Sequence, residues 1–122
     1  MAVIAAQDAP RFDAGGATIT GLASPSRGSA DTAAWRVQFL PDRPSPRHAL
    51  SREEIFIALE GALTARFENR AETADAGGAR IVAAGEEFDL IAEGGPAEAI
   101  CVMAVGGQAI ADGAAFTPPW AE

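Results

Sequence analysis

Apolar and polar residues alternate along much of this chain with the two-residue period of an extended strand, whose successive side chains point to opposite faces. The clearest case is Ala34 to Leu40, where Trp35, Val37 and Phe39 share one face and Arg36 and Gln38 the other. Ala17 to Ala23 alternates more weakly and predicts a first strand. Arg80 to Ala83 and Glu86 to Ile91 predict two short strands around Ala84-Gly85, with Phe88 and Leu90 on an apolar face and Glu87 and Asp89 opposite. Ala97 to Val105 is an apolar run broken only by Glu98, suited to a strand covered on both sides, and Gln108 to Ala111 predicts a last strand. Ser24 to Thr32 is small, polar and turn-rich, hence a loop, and Arg70 to Gly78 reads as a flexible tip. Many short strands punctuated by glycine and proline, with no useful repeat, predict an all-β sandwich or barrel. Residues 17–116 form that barrel. Residues 1–16 are an N-terminal surface segment with Phe12 turned inward, and residues 117–122 are a tail whose Trp120 clamps onto the barrel or onto a partner subunit.

The most regular pattern lies in Pro46 to Gly61, which also holds the chain's one histidine. Pro41, Pro44 and Pro46 keep the preceding chain extended and without backbone donors. Read as strand, His48, Leu50, Arg52, Glu54, Phe56 and Ala58 share one face, and Ile55, Ile57 and Leu59 take the other. That places an imidazole and a carboxylate on one wall. A helix is the rival: Ser51 and Glu54 fit a capping box, and Ile55, Leu59, Leu63 and Phe67 recur every four residues. Against the helix, Gly61 would sit in its middle at a cost of about 1 kcal/mol relative to alanine, and Ile-Phe-Ile prefers strands. The favoured reading is a hairpin, Glu53 to Glu60 and Ala62 to Asn69, turning at Gly61.

Length narrows the picture to one domain with a real core, since the chain has 122 residues. The formal charge is −8 and every cation is arginine, for lysine is absent, as is tyrosine. An acidic surface argues against nucleic acid and anionic membrane as partners. The richness in Ala, Gly and Arg resembles the output of a GC-rich bacterial genome. Met1 to Pro10 does not read as a signal peptide, and no stretch approaches the roughly 20 apolar residues of a membrane span. Cys101 is the single cysteine, which excludes an internal disulfide and fits a cytoplasmic protein. Without Lys or Tyr, no Schiff-base residue or phenolic acid is on hand.

The central stretch resembles the first motif of the cupin family: Gly, five residues, His-x-His, three or four residues, Glu, six residues, Gly. His48, Glu54 and Gly61 fall into that register; Leu50 stands at the second histidine and Asp42 at the opening glycine. The second cupin motif is Gly, five residues, Pro-x-Gly, two residues, His, three residues, Asn. Gly85 matches its start, but Ile91, Glu93, Pro96 and Ile100 occupy the later positions. The resemblance spans residues 34–105 and implies a small jelly-roll β-barrel, commonly a homodimer, with a pocket in the barrel mouth. Family members range from metal-dependent dioxygenases, isomerases and epimerases to proteins that only bind small molecules, so fold alone does not choose among them.

A cupin metal is typically held by three imidazoles and a carboxylate; here the resemblance leaves His48 and Glu54 as metal ligands, which implies at most a weakly bound divalent transition metal. Glu87, Asp89 and Cys101 are the candidates for replacing a lost ligand. The same pair reads as a metal-free acid and base, because an imidazole titrates near neutrality and a carboxylate on its wall orients it. Arg52, on the same face, is a candidate anchor for a carboxylate or phosphate. Trp35, Phe39, Leu50, Phe56, Phe88 and Met103 are the candidate ligand-lining side chains. The leading expectation is a cytoplasmic cupin that binds a small organic molecule and has an incomplete metal site. The alternative is an enzyme using His48 and Glu54, either through a metal as a dioxygenase or isomerase, or without one as an isomerase, cyclase or lyase. A third class is a structural dimer joined by exposed strand edges and the Trp120 tail.

Overall fold

The computed structural model describes residues 2–122, and twelve strands organise them. The first six are β1 (Arg11–Asp13), β2 (Ala17–Ala23), β3 (Thr32–Phe39), β4 (Ala49–Leu50), β5 (Glu54–Glu60) and β6 (Ala62–Arg66). The others are β7 (Ala71–Asp75), β8 (Ala79–Val82), β9 (Asp89–Ile91), β10 (Ala97–Ala104), β11 (Ala109–Ala111) and β12 (Ala114–Phe116). Their ladders are antiparallel and form a six-stranded sheet, β1-β2-β3-β10-β5-β8, and two three-stranded sheets, β12-β11-β4 and β7-β6-β9. The fold is all-β, of jelly-roll type.

Sequence alternation sets the walls. In β3 the pattern buries Ala33, Trp35, Val37 and Phe39, and in β10 it buries Ala97, Ala99, Cys101 and Met103. Register then puts these side chains in rows across the large sheet: Gly21, Trp35, Cys101 and Phe56 in one row, and Ala33, Met103 and Glu54 in the next. Trp35 fits because its neighbours in the row, Gly21 and Cys101, are small. Side chains of all three sheets meet in a single core that includes Leu50, Leu63, Phe88 and Leu90. Full burial of each large one is worth about 1.5–3 kcal/mol.

Several sequence expectations need correction. Gly61 does not close a hairpin: β5 pairs with β10 and β8, while β6 pairs with β7 and β9. The glycine is a corner that carries the chain from one sheet to another. Its φ is +70°, and a Cβ there would run into the Pro96 carbonyl oxygen and sit 3.1 Å from the Ala97 Cα. The expected flexible tip, Arg70 to Gly78, is mostly β7, paired along its length with β6. Of the expected strand Glu86 to Ile91 only Asp89–Ile91 forms, and β10 is alternately buried and half-buried, so its outer side is only partly covered.

The proline-rich segment before His48 is tied to residues 88–92 by main-chain bonds. Asp42 N donates to the Ala92 carbonyl (2.7 Å) and Ser45 N to the Leu90 carbonyl (2.8 Å). His48 and Phe88 exchange both of their backbone bonds, at 3.0 and 2.8 Å. Ser45 Oγ accepts from Leu90 N at 2.9 Å. At the C-terminal end, Pro119–Ala121 forms a 3-10 turn whose Trp120 ring packs on Phe12 and Trp35, with centroids 6.0 and 6.5 Å apart. Arg27 donates to the Trp120 carbonyl (2.9 Å), and Gly21 leaves room for its guanidinium, since a Cβ there would lie 2.6 Å from Arg27 Nη2. The tail therefore clamps onto the barrel of its own chain.

Candidate functional site

The inner face of the large sheet does not fill the space between the walls. A cavity of about 330 Å³ lies there, lined by Trp35, Val37, Phe39, Phe56 and Met103 from the sheet and by Leu50 from β4. Small residues, including Gly16, Ala17, Ala109 and Ala111, contribute to its lining and leave volume that larger side chains would occupy. Pro118 and Trp120 of the tail and residues 43–46 of the proline-rich segment complete it.

Glu54 opens β5 and faces this cavity, 5 % exposed. Burial pushes its carboxyl up from 4.5 to about 8, with no hydrogen bond or opposite charge acting against it. At neutral pH the group is therefore a protonated acid and a hydrogen-bond donor. Cys101, on the neighbouring strand, also lines the cavity; burial first, and then a Glu54 carboxylate, push its thiol well up, so it is not a thiolate nucleophile. His48 is half-buried on the same lining, its ring 4.6 Å from that of Phe88. Its Nδ1 lies 2.7 Å from the Pro46 carbonyl oxygen. A carbonyl only accepts, so Nδ1 carries a proton and Nε2 is the nitrogen left for other chemistry.

The polyketide cyclase RemF from Streptomyces resistomycificus superposes with a TM-score of 0.77 at 17% identity, over 97% of this chain and 89% of that one. KdgF from Halomonas sp. gives 0.70 at 16% identity, over 84% and 93%. An RmlC-like cupin from Shewanella frigidimarina NCIMB 400 gives 0.70 at 14% identity, over 84% and 88%. This chain has the cupin fold. No family model and no curated protein matches the sequence, so the likeness is one of fold.

Within this cupin barrel seven of the sequence-predicted residues meet at the cavity: Trp35, Phe39, His48, Leu50, Glu54, Phe56 and Met103. Two do not. Arg52 is exposed in the bend between β4 and β5, where the strand period is broken, and does not line the cavity. Phe88 is fully buried behind it, against His48, Phe56 and Phe67, and supports the imidazole from the core side. The donor set does not fit a transition-metal centre. Among the described residues no three His, Cys, Asp or Glu side chains gather to hold an ion. Asp89 is occupied by Arg66 (2.7 Å) and Arg47 (3.4 Å), and Glu87 by Arg47 (3.1 Å), so neither replaces a missing ligand. Sequence reasoning missed Arg43 and Pro118, which join the lining from irregular segments that carry no periodic signal. No helix among the described residues is long and apolar enough to cross a membrane.

Proposed function

We propose that the cavity binds a small, largely apolar organic molecule that carries a hydrogen-bond acceptor, such as a carbonyl oxygen, directed at Glu54. The observation that carries this reading is a buried carboxyl without a partner of its own among the described residues, set in an apolar chamber of about 330 Å³. A carboxyl that faces the cavity keeps its proton available to a ligand acceptor, and such a hydrogen bond contributes about 0.5–1.5 kcal/mol net. Ligand binding here needs no metal. The test is a thermal-shift screen of cyclic ketones and aromatic carbonyl compounds, followed by calorimetry on the hits. Ala111→Trp, which fills the lining from β11, and Ala14→Trp, which does so from the loop before β2, should both abolish binding. If no such compound raises the melting temperature, or if binding survives both substitutions, the reading fails. About one equivalent of bound transition metal in chelator-free protein overturns its metal-free part.

The arrangement also supports a catalytic reading: proton transfer between His48 and Glu54 and a bound substrate, as in an isomerisation, cyclisation or elimination. Two groups held in opposite roles, a neutral carboxyl that donates and an imidazole whose Nε2 is uncommitted, suit acid-base chemistry near neutral pH. The name of RemF, a polyketide cyclase, belongs to that protein; here it suggests cyclisation as the first reaction to assay. Glu54→Gln and His48→Ala should each lower turnover by about 100-fold or more while ligand affinity stays within a few fold. Activity unchanged in both variants rules the enzyme out.

A further inference from the structure

The cavity lining carries two residues with full formal charges in their ordinary states, Glu54 at the buried end and Arg43 at the exposed end. The chain has nine arginines. Arg36, Arg47, Arg66, Arg70 and Arg80 are in ion pairs, and Arg27 is engaged by the Trp120 carbonyl. Arg43 has no carboxylate within 4 Å among the described residues, although the chain has 17 acidic side chains to offer one. Arg11 and Arg52 are also outside any ion pair among the described residues, but neither lines the cavity. The position of Arg43 is set by its surroundings. Its stem lies across Gly16, where a Cβ would come within 2.6 Å of the Arg43 Cβ and 3.2 Å of its Cδ. Asp42, just before it, is locked at φ +60° by its N–H on Ala92 and by its own carboxylate, which accepts from Gly94 N at 2.9 Å. A guanidinium on a stem packed at an apolar mouth, with no internal partner among the described residues, is available to receive an anion.

We propose that Arg43 anchors the charged end of the cavity's ligand, which makes that ligand an apolar organic anion with its acidic group at the mouth and its neutral hydrogen-bonding group facing Glu54. This rests on the small-molecule reading above and narrows it to a class. It also moves the anchoring role from Arg52, where the sequence period put it, to Arg43.

Two dyes with one skeleton test the idea: 1-anilinonaphthalene-8-sulfonate, which is anionic, and N-phenyl-1-naphthylamine, which is the same ring system without the sulfonate. Fluorescence titration of the wild-type protein should give about five- to tenfold tighter binding of the anionic dye at low salt, with the advantage shrinking as ionic strength rises. Arg43→Gln should erase that preference and leave affinity for the neutral dye unchanged. A preference that survives the substitution overturns the role of Arg43 and leaves the cavity reading intact. Equal loss of both dyes in the variant makes Arg43 a structural part of the rim and likewise overturns the anchor. Failure of the wild type to bind either dye overturns the small-molecule reading together with this one.

Discussion

Glu54 is ionised in an unfolded chain above about pH 4.5, whereas in the fold it keeps its proton until about pH 8. Between those values the native state binds a proton that the unfolded state has released, so stability falls as pH rises through that window and levels off above it. A shift from 4.5 to about 8 corresponds to a loss on the order of 5 kcal/mol. Glu54→Gln keeps the shape and removes the titration. Its melting temperature should match that of the wild type near pH 4.5 and exceed it increasingly toward pH 8; parallel melting curves across that range would mean that burial does not hold the proton. The face of Glu54 is legible in the sequence, because it lies at even spacing from Phe56 and Ala58 within one strand. The environment of Arg52 is not, since the bend at residues 51–53 breaks the strand period that runs through its neighbours.

Strands follow the same division between local and distant causes. Alternation in β3 is written in its own residues, since Trp35, Val37 and Phe39 have nowhere to go but inward. The segment Ala71–Asp75 has no such signature: it buries only Ala74, and it is a strand because β6 offers it a ladder. The corner at Gly61 is a subtler case. A glycine with positive φ serves a hairpin or a sheet-to-sheet corner equally well, and the choice is made by β10, which is more than thirty residues away in sequence and takes β5 as its neighbour. The crowding around Gly61 gives the corner a measurable cost. Gly61→Ala should destabilise the protein by about 2 kcal/mol or more, since it adds a clash with Pro96 to the conformational penalty. Gly77 has a φ of +90° and open space around it, so Gly77→Ala should cost only about 1 kcal/mol. Urea unfolding of the two variants compares them directly, and equal losses would remove the steric part of the argument.

At the scale of the molecule, the large sheet turns an apolar stripe outward. Ile57 is opposite Ile100, and Ile55 lies between Val102 and Ile81, with Ile57 and Ile81 exposed. On a chain of net charge −8 this uncharged stripe is where two copies can approach without like charges meeting. We propose that it joins two copies of this chain face to face. Light scattering at micromolar concentration should give twice the chain mass, and Ile57→Arg should return it to the single-chain mass with the melting temperature little changed. A wild-type protein of single-chain mass would remove the proposal. The segment from Asp42 to His48 has a different kind of consequence. It is fastened to residues 88–92 by main-chain bonds at residues 42, 45 and 48 and to its surroundings by the Asp42, Ser45 and Arg47 side chains, and none of these ties uses the Arg43 side chain. Positions such as 43 can therefore be rewritten, by drift or by a designer, to admit a different guest without disturbing the framework that displays them.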